Sequence, residues 1–124
     1  MTAWTSEELS TISKAEEVDL ASIPESGSVR NRVTIWVVRH GDDLYVRSVR
    51  GRKGAWFLAA KAAKSGRIWA GALQRDVSFE EADAALGHEI DAAYRSKYRR
   101  YAGRILDSVL TPDARSTTLR LMPR

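Results

Sequence analysis

Apolar positions change their period several times along this chain, and each change marks an element. Leu9 and Ile12 stand three apart behind Thr5-Ser6-Glu7-Glu8. A hydroxyl cap followed by glutamate satisfies free amides and suits the positive end of a helix, so a helix is expected to run to about Ala15. Val18, Leu20 and Ala21 to Ile23 read as a short strand, stopped by Pro24 and the loop Glu25-Ser26-Gly27-Ser28. The β-branched and aromatic run Arg32 to Val38 meets Leu44 to Val49 across Gly41-Asp42-Asp43, which predicts a β-hairpin. Its first strand is almost continuously apolar, as in a strand buried on both faces. The second alternates, with Tyr45 and Arg47 on one side.

Beyond the loop Val49 to Gly54 the period becomes helical. Trp56, Ala59, Ala60 and Ala63 form the inward stripe of a helix over Ala55 to Lys64, with Gly66 placed to close it. Arg67 to Leu73 and Asp76 to Phe79 predict a second hairpin that turns at Gly71-Ala72 or at Gln74-Arg75. From Ala82 the repeat Leu86, Ile90, Ala93, Tyr94, Lys97, Tyr98 and Tyr101 predicts a long helix, kinked at Ala102-Gly103 and continuing to Leu110. Thr111-Pro112-Asp113 caps a short turn, and Thr117 to Met122 alternates as a last strand. The expected order α-β-β-β-α-β-β-α-α-β implies an α+β fold whose antiparallel sheet curls into a barrel. One domain, 1–124, is expected, with an N-terminal helical segment at 1–16, the main barrel at 17–80, a helical segment at 82–110 and a closing strand at 116–123.

Composition removes several chemistries. With 124 residues, 44% hydrophobic and 29% charged, the chain can bury a core of its own. The absence of cysteine excludes disulfides, a thiolate nucleophile and a cysteine-based zinc site, and two histidines argue against a metal site. No apolar run approaches the ~20 residues of a membrane span, and Met1 to Thr5 lacks the features of a signal peptide, so the expected location is cytoplasmic.

The net charge of +4 conceals four blocks of alternating sign: −5 over residues 1–29, +8 over 30–67, −5 over 68–94 and +6 over 95–124. Such alternation does not describe a nucleic-acid coat. The +8 block contains a strand, a glycine-containing loop and a helix start, a layout in which free amides, Arg47, Ser48, Arg50, Arg52 and Lys53 can meet a phosphate. The competing reading is a solvated basic loop. Trp36, Trp56 and Trp69 lie in or beside the same elements, either as core or flanking a planar ring, and Trp4 reads as a hydrophobic staple or a cover on the barrel. His40 and His88 lack triad partners, and Glu80, Glu81 and Asp83 suit the start of a helix. Tyr94, Tyr98 and Tyr101 interleave with basic residues but share one helical face. That favours packing or subunit contact over base stacking, so nucleic acid is not the expected partner.

Thr34 to Arg39, Asp43 to Gly51, Gly54-Ala55-Trp56-Phe57 and Asp91 to Tyr98 together resemble the bacterial domain of unknown function 2255, with a likeness running from Trp4 to Arg124. More distantly, Val33 to Trp56, Arg67 to Phe79 and Thr118 to Pro123 are similar to the split β-barrel group that includes pyridoxamine-phosphate-oxidase-like and deazaflavin-dependent nitroreductase-like proteins. This resemblance implies a homodimeric antiparallel split β-barrel with a short inserted helix, and a cofactor that is flavin mononucleotide (FMN) or a deazaflavin (coenzyme 420). Its binding residues would be Arg47, Ser48, Arg50, Gly51, Lys53 and Trp56, and the implied activity is reduction of a small organic molecule with no catalytic side chain. Arg50-Gly51-Arg52-Lys53 stands where the oxidases carry serine-arginine-lysine, and Ala55-Trp56 where the nitroreductases carry proline-tryptophan. The alternative is a cofactor-free module of the same fold that binds a small ligand or a protein.

Overall fold

Thr5 Oγ1 accepts the Glu8 N–H at 3.1 Å while Glu8 Oε1 accepts the Thr5 N–H at 2.9 Å, and this reciprocal cap starts helix α1, Ser6–Lys14. The computed structural model describes residues 3–29 and 31–124; Met1 and Thr2, at the start of the expected 1–16 segment, and Arg30 lie outside the described residues. Strands β1 (Val18–Ser22), β2 (Val33–Ile35), β3 (Val38–His40) and β4 (Asp43–Val46) follow. Helix α2 (Ala55–Ala63) precedes β5 (Ser65–Ala70) and β6 (Leu73–Glu81). Helices α3 (Gly87–Lys97), α4 (Arg104–Asp107) and α5 (Pro112–Arg115) lead to β7 (Leu119–Pro123).

The seven strands form one antiparallel sheet in the order β2-β1-β5-β6-β7-β4-β3. Its two edge strands are therefore consecutive in the chain. Three Cα steps separate Ile35 from Val38, a reach of at most about 11 Å, so the sheet has to curl until its edges nearly meet. This is a split barrel, and the α+β architecture read from the sequence is the observed one.

The first strand of the expected hairpin differs. Instead of one strand over Arg32 to Val38, buried on both faces, the segment divides: Ile35 pairs with Val18 on one edge and Val38 with Tyr45 on the other. Between them Trp36 and Val37 leave the ladder. The Val37 N–H donates to Tyr98 Oη at 3.1 Å, and the Val37 carbonyl accepts Lys97 Nζ at 2.6 Å. Side chains from the end of α3 thus replace the sheet partners that backbone groups otherwise require.

Three further expectations change. Lys64, not Gly66, takes the left-handed position that ends α2, at φ 63°. Gly66 lies in β5, where a Cβ would come within 2.2 Å of the Ala21 carbonyl oxygen. The long helix is interrupted: after Lys97 come a 3-10 turn over Arg99–Tyr101 and a left-handed Gly103 before α4 begins. The inward face of α2 is centred on Phe57 and Ala60, with Trp56 half-buried. The second hairpin turns at Gly71-Ala72, the first of the two positions considered.

Packing follows the two-residue period of the strands. Leu44 and Val46 join Leu9, Ile12, Phe57, Ile68 and Leu121 on one face of the sheet, while Tyr45 joins Ile90, Tyr94, Tyr98 and Val109 on the other. Trp4 covers the first of these cores, buried, with Nε1 donating to the Leu121 carbonyl at 2.9 Å. Among the described residues, no helix is long and apolar enough to cross a membrane.

Candidate functional site

A cavity of about 460 Å³ opens where edge strand β2 faces the corner between β4 and α2. That volume lies within the range of small-molecule and cofactor pockets. Val33, Ile35, Trp36, Trp56 and Val109 give it apolar and aromatic walls, and Arg50, Ser48, Thr34 and Glu17 add polar groups. The Trp36 ring is held from behind by Tyr98, stacked at 3.9 Å between centroids and 5° between planes. Trp56 packs edge-on against Phe57, a core residue of the same helix turn. The Trp36 indole is therefore backed by a stacked ring, and the half-buried Trp56 indole rests against the edge of the core.

Of the six residues singled out in the sequence, Arg47, Ser48, Arg50 and Trp56 line this cavity, and Gly51 and Lys53 stand outside its wall. Their roles diverge. The Arg47 side chain is fully buried, and its guanidinium donates to Asp91 Oδ1 at 2.5 Å, the Val109 carbonyl at 2.9 Å, Thr118 Oγ1 at 2.9 Å and the Gly87 carbonyl at 3.3 Å. Four of its five N–H groups are thereby engaged within the protein, so Arg47 stiffens the wall. Asp91 also accepts Arg115 Nη2 at 2.7 Å. Burial alone would push the Asp91 carboxyl up, but the hydrogen bonds and charges of Arg115 and Arg47 outweigh it and hold the carboxyl below the usual range.

Gly51, expected to let the backbone approach an anion, lets it approach Asp113 instead. Its φ is +69°, and the Asp113 carboxylate fills the space a Cβ would take. Gly54 has a similar reason, because a Cβ there would stand 2.4 Å from Ser48 Oγ. Folding also brings carboxylates from other blocks onto the +8 block, which lowers its net charge without cancelling it. Arg52 and Lys61 pair with Glu81, Arg67 with Asp76, and Arg47 with Asp91. The Lys61 hydrogen bond is the largest influence holding the Glu81 carboxyl low. At the cavity this leaves Arg50, exposed at its mouth, beside the start of α2, where Gly54 and Ala55 line the wall and, among the described residues, no side chain caps the first amides.

Several participants were not singled out. Glu17, Thr34 and Ile35 reach the cavity only because β2 pairs with β1 across the sheet, and Ser108 and Ile105 because α4 folds back. Asp91 carried a usable signal: it precedes Tyr94 by three residues, which puts a carboxylate on the buried tyrosine face of α3. Trp69 lies away from the cavity, with Arg32 over its ring at 3.7 Å. His40 and His88 do not line it either. Tyr94 and Tyr98 are buried within this chain, so they present no stacking face to nucleic-acid bases and no contact stripe to a second subunit.

Solved structures share this fold. A candidate pyridoxamine 5'-phosphate oxidase from Listeria innocua superposes with a TM-score of 0.66 at 12% identity, over 95% of this chain and 91% of its own. HutZ, the heme storage protein from Vibrio cholerae, gives 0.63 at 12% identity, over 99% of this chain and 92% of its own. An F420-H2 dependent reductase gives 0.64 at 15% identity, over 86% and 93%. At such identities the likeness is one of fold. No curated protein matches the sequence. Residues 8–121 match the family model described as uncharacterized protein conserved in bacteria, DUF2255, and the chain belongs to that family.

Proposed function

We propose that this DUF2255 member binds a flavin or deazaflavin nucleotide, FMN or coenzyme 420, in the cavity between β2 and α2 and uses it to reduce a small organic molecule. One observation carries the reading: a cavity of about 460 Å³ combines two indole walls, Trp36 and Trp56, with an arginine and a helix start without a side-chain cap. A planar ring suits the indole walls. The phosphate belongs with Arg50 and the amides of Ala55 and Trp56, because the space at Gly51 faces the Asp113 carboxylate. Ser48 borders the same corner, Lys53 adds charge outside it, and Arg47 acts by holding the wall through Asp91. Hydride chemistry comes from the cofactor, so no side chain has to serve as nucleophile or general base.

The exposed apolar residues Val49 and Ile105 on the cavity rim support a homodimer, in which a second copy would cover the opening. Spectrophotometric titration of the purified protein with FMN and with deazaflavin tests the reading. Saturable binding of one of them, with quenching of tryptophan fluorescence, is the expected result; no binding of either overturns it and favours a cofactor-free binding module.

A further inference from the structure

Trp36 belongs to two structures at once. Its ring lines the cavity, and it also begins a column of aromatic rings that leads away from it. Tyr98 lies stacked on Trp36 at 3.9 Å, and Tyr101 is 5.3 Å from Trp36 and 6.5 Å from Tyr98. Tyr98 is buried, whereas Tyr101 is half-exposed at the surface. Rings in van der Waals contact exchange an electron readily. The direction of exchange is set by where a proton can go.

The three tyrosines differ in that respect. The Tyr94 ring is 6.1 Å from Tyr98, but its hydroxyl is buried with no side-chain hydrogen bond among the described residues, so an oxidised Tyr94 has no carboxylate beside it to take its proton. The Tyr98 hydroxyl donates to the Glu16 carbonyl at 2.7 Å, and a backbone carbonyl is a poor base. The Tyr101 hydroxyl donates to the Glu16 carboxylate, which is also ion-paired with Arg100, and it accepts from Arg100 at 3.0 Å. Burial also pushes the Tyr94 and Tyr98 hydroxyls well above the ordinary phenol range, which opposes proton loss at both.

We infer that Trp36, Tyr98 and Tyr101 form a one-electron relay from the cavity wall to the surface, with Tyr101 as its terminus and the Glu16 carboxylate as its proton acceptor. A one-electron oxidant at the cavity takes an electron from Trp36, whose indole N–H loses its proton and leaves a neutral indolyl radical. Tyr101 then supplies an electron through Tyr98, and its hydroxyl proton passes to Glu16. Trp36 regains a proton from solvent, so the products are intact tryptophan and a tyrosyl radical that an external reductant can reach. The relay protects an indole that shapes the site. Its use in the protein rests on the redox-cofactor reading of the cavity, but the relay itself is a property of this chain alone.

Pulse radiolysis of the cofactor-free protein tests it, with azide radical as the oxidant that is reduced to azide. The expected result is a first-order conversion of indolyl to phenoxyl absorption at a rate independent of protein concentration. Tyr101→Phe is expected to lose that phase while keeping the initial indolyl yield, and Trp36→Phe is expected to lose the phase together with part of that yield. Circular dichroism of both variants establishes that they are folded. Absence of the phase in the unaltered protein, or its persistence in Tyr101→Phe, overturns the inference. Because no flavin is present, this outcome is independent of whether the cofactor titration succeeds.

Discussion

Replacing Asp91 by Asn removes one charge from the network behind the cavity while keeping its shape. The Arg47 side chain is 0% exposed and the Asp91 side chain 3%, so the change strands a buried guanidinium. Stranding one member of a buried ion pair costs about 3–5 kcal/mol, against about 0–1 kcal/mol for a surface pair. Over 124 residues, an unfolding entropy of about 2.1 cal/mol/K per residue amounts to about 0.26 kcal/mol/K. The expected fall in the unfolding midpoint is therefore about 12–19 °C. Thermal and urea unfolding followed by circular dichroism would measure it. The pH dependence has a definite sign. Because the folded Asp91 carboxyl is held below its unfolded value of about 3.9, its stabilisation is complete above that value and is lost as pH falls through the folded one. The gap between the native protein and Asp91→Asn should be full at neutral pH and close in strong acid. A loss below about 1 kcal/mol at neutral pH would refute the argument that Arg47 is locked in place.

Other substitutions test the fold around the site. Tyr98→Phe removes the acceptor of the Val37 N–H and should cost about 1–3 kcal/mol in urea unfolding. Gly66→Ala forces a Cβ to within 2.2 Å of the Ala21 carbonyl oxygen and should lower stability by about 1–3 kcal/mol or more, read as a fall in the thermal midpoint. Lys64→Gly relieves a left-handed residue at φ 63° and should raise stability by up to about 1 kcal/mol, seen in the urea midpoint.

The parts of the fold that were legible in the sequence are those decided by neighbours. Thr5 and Glu8 are three residues apart and cap each other, and Gly71 turns a hairpin whose strands adjoin it. The division of Arg32 to Val38 between two sheet edges was not legible. It is decided by Tyr98 and Lys97, about sixty residues away, which take over the hydrogen bonds of Val37. Both halves of that segment are β-branched, so local propensity is the same whether they form one strand or two. The site divides the same way. The strand–loop–helix corner was evident from spacing and Trp56 was implied by the family resemblance, but the sequence could not reveal that Asp91 neutralises Arg47, that Asp113 fills the space at Gly51, or that Glu81 collects Arg52 and Lys61. A block of charge in the sequence predicts a field only where folding does not bring the opposite block onto it.

In the proposed function the nucleotide phosphate is held at Arg50 and the start of α2. Where the titration finds FMN bound, FMN is compared with riboflavin, which carries the same ring without the phosphate, on the native protein and on Arg50→Ala. A charge-assisted hydrogen bond contributes about 1.5–3 kcal/mol, so the native protein should bind FMN at least about tenfold more tightly than riboflavin, and Arg50→Ala should lose most of that difference. Equal affinity of the native protein for both flavins, or a preference for FMN that Arg50→Ala leaves unchanged, would contradict the account.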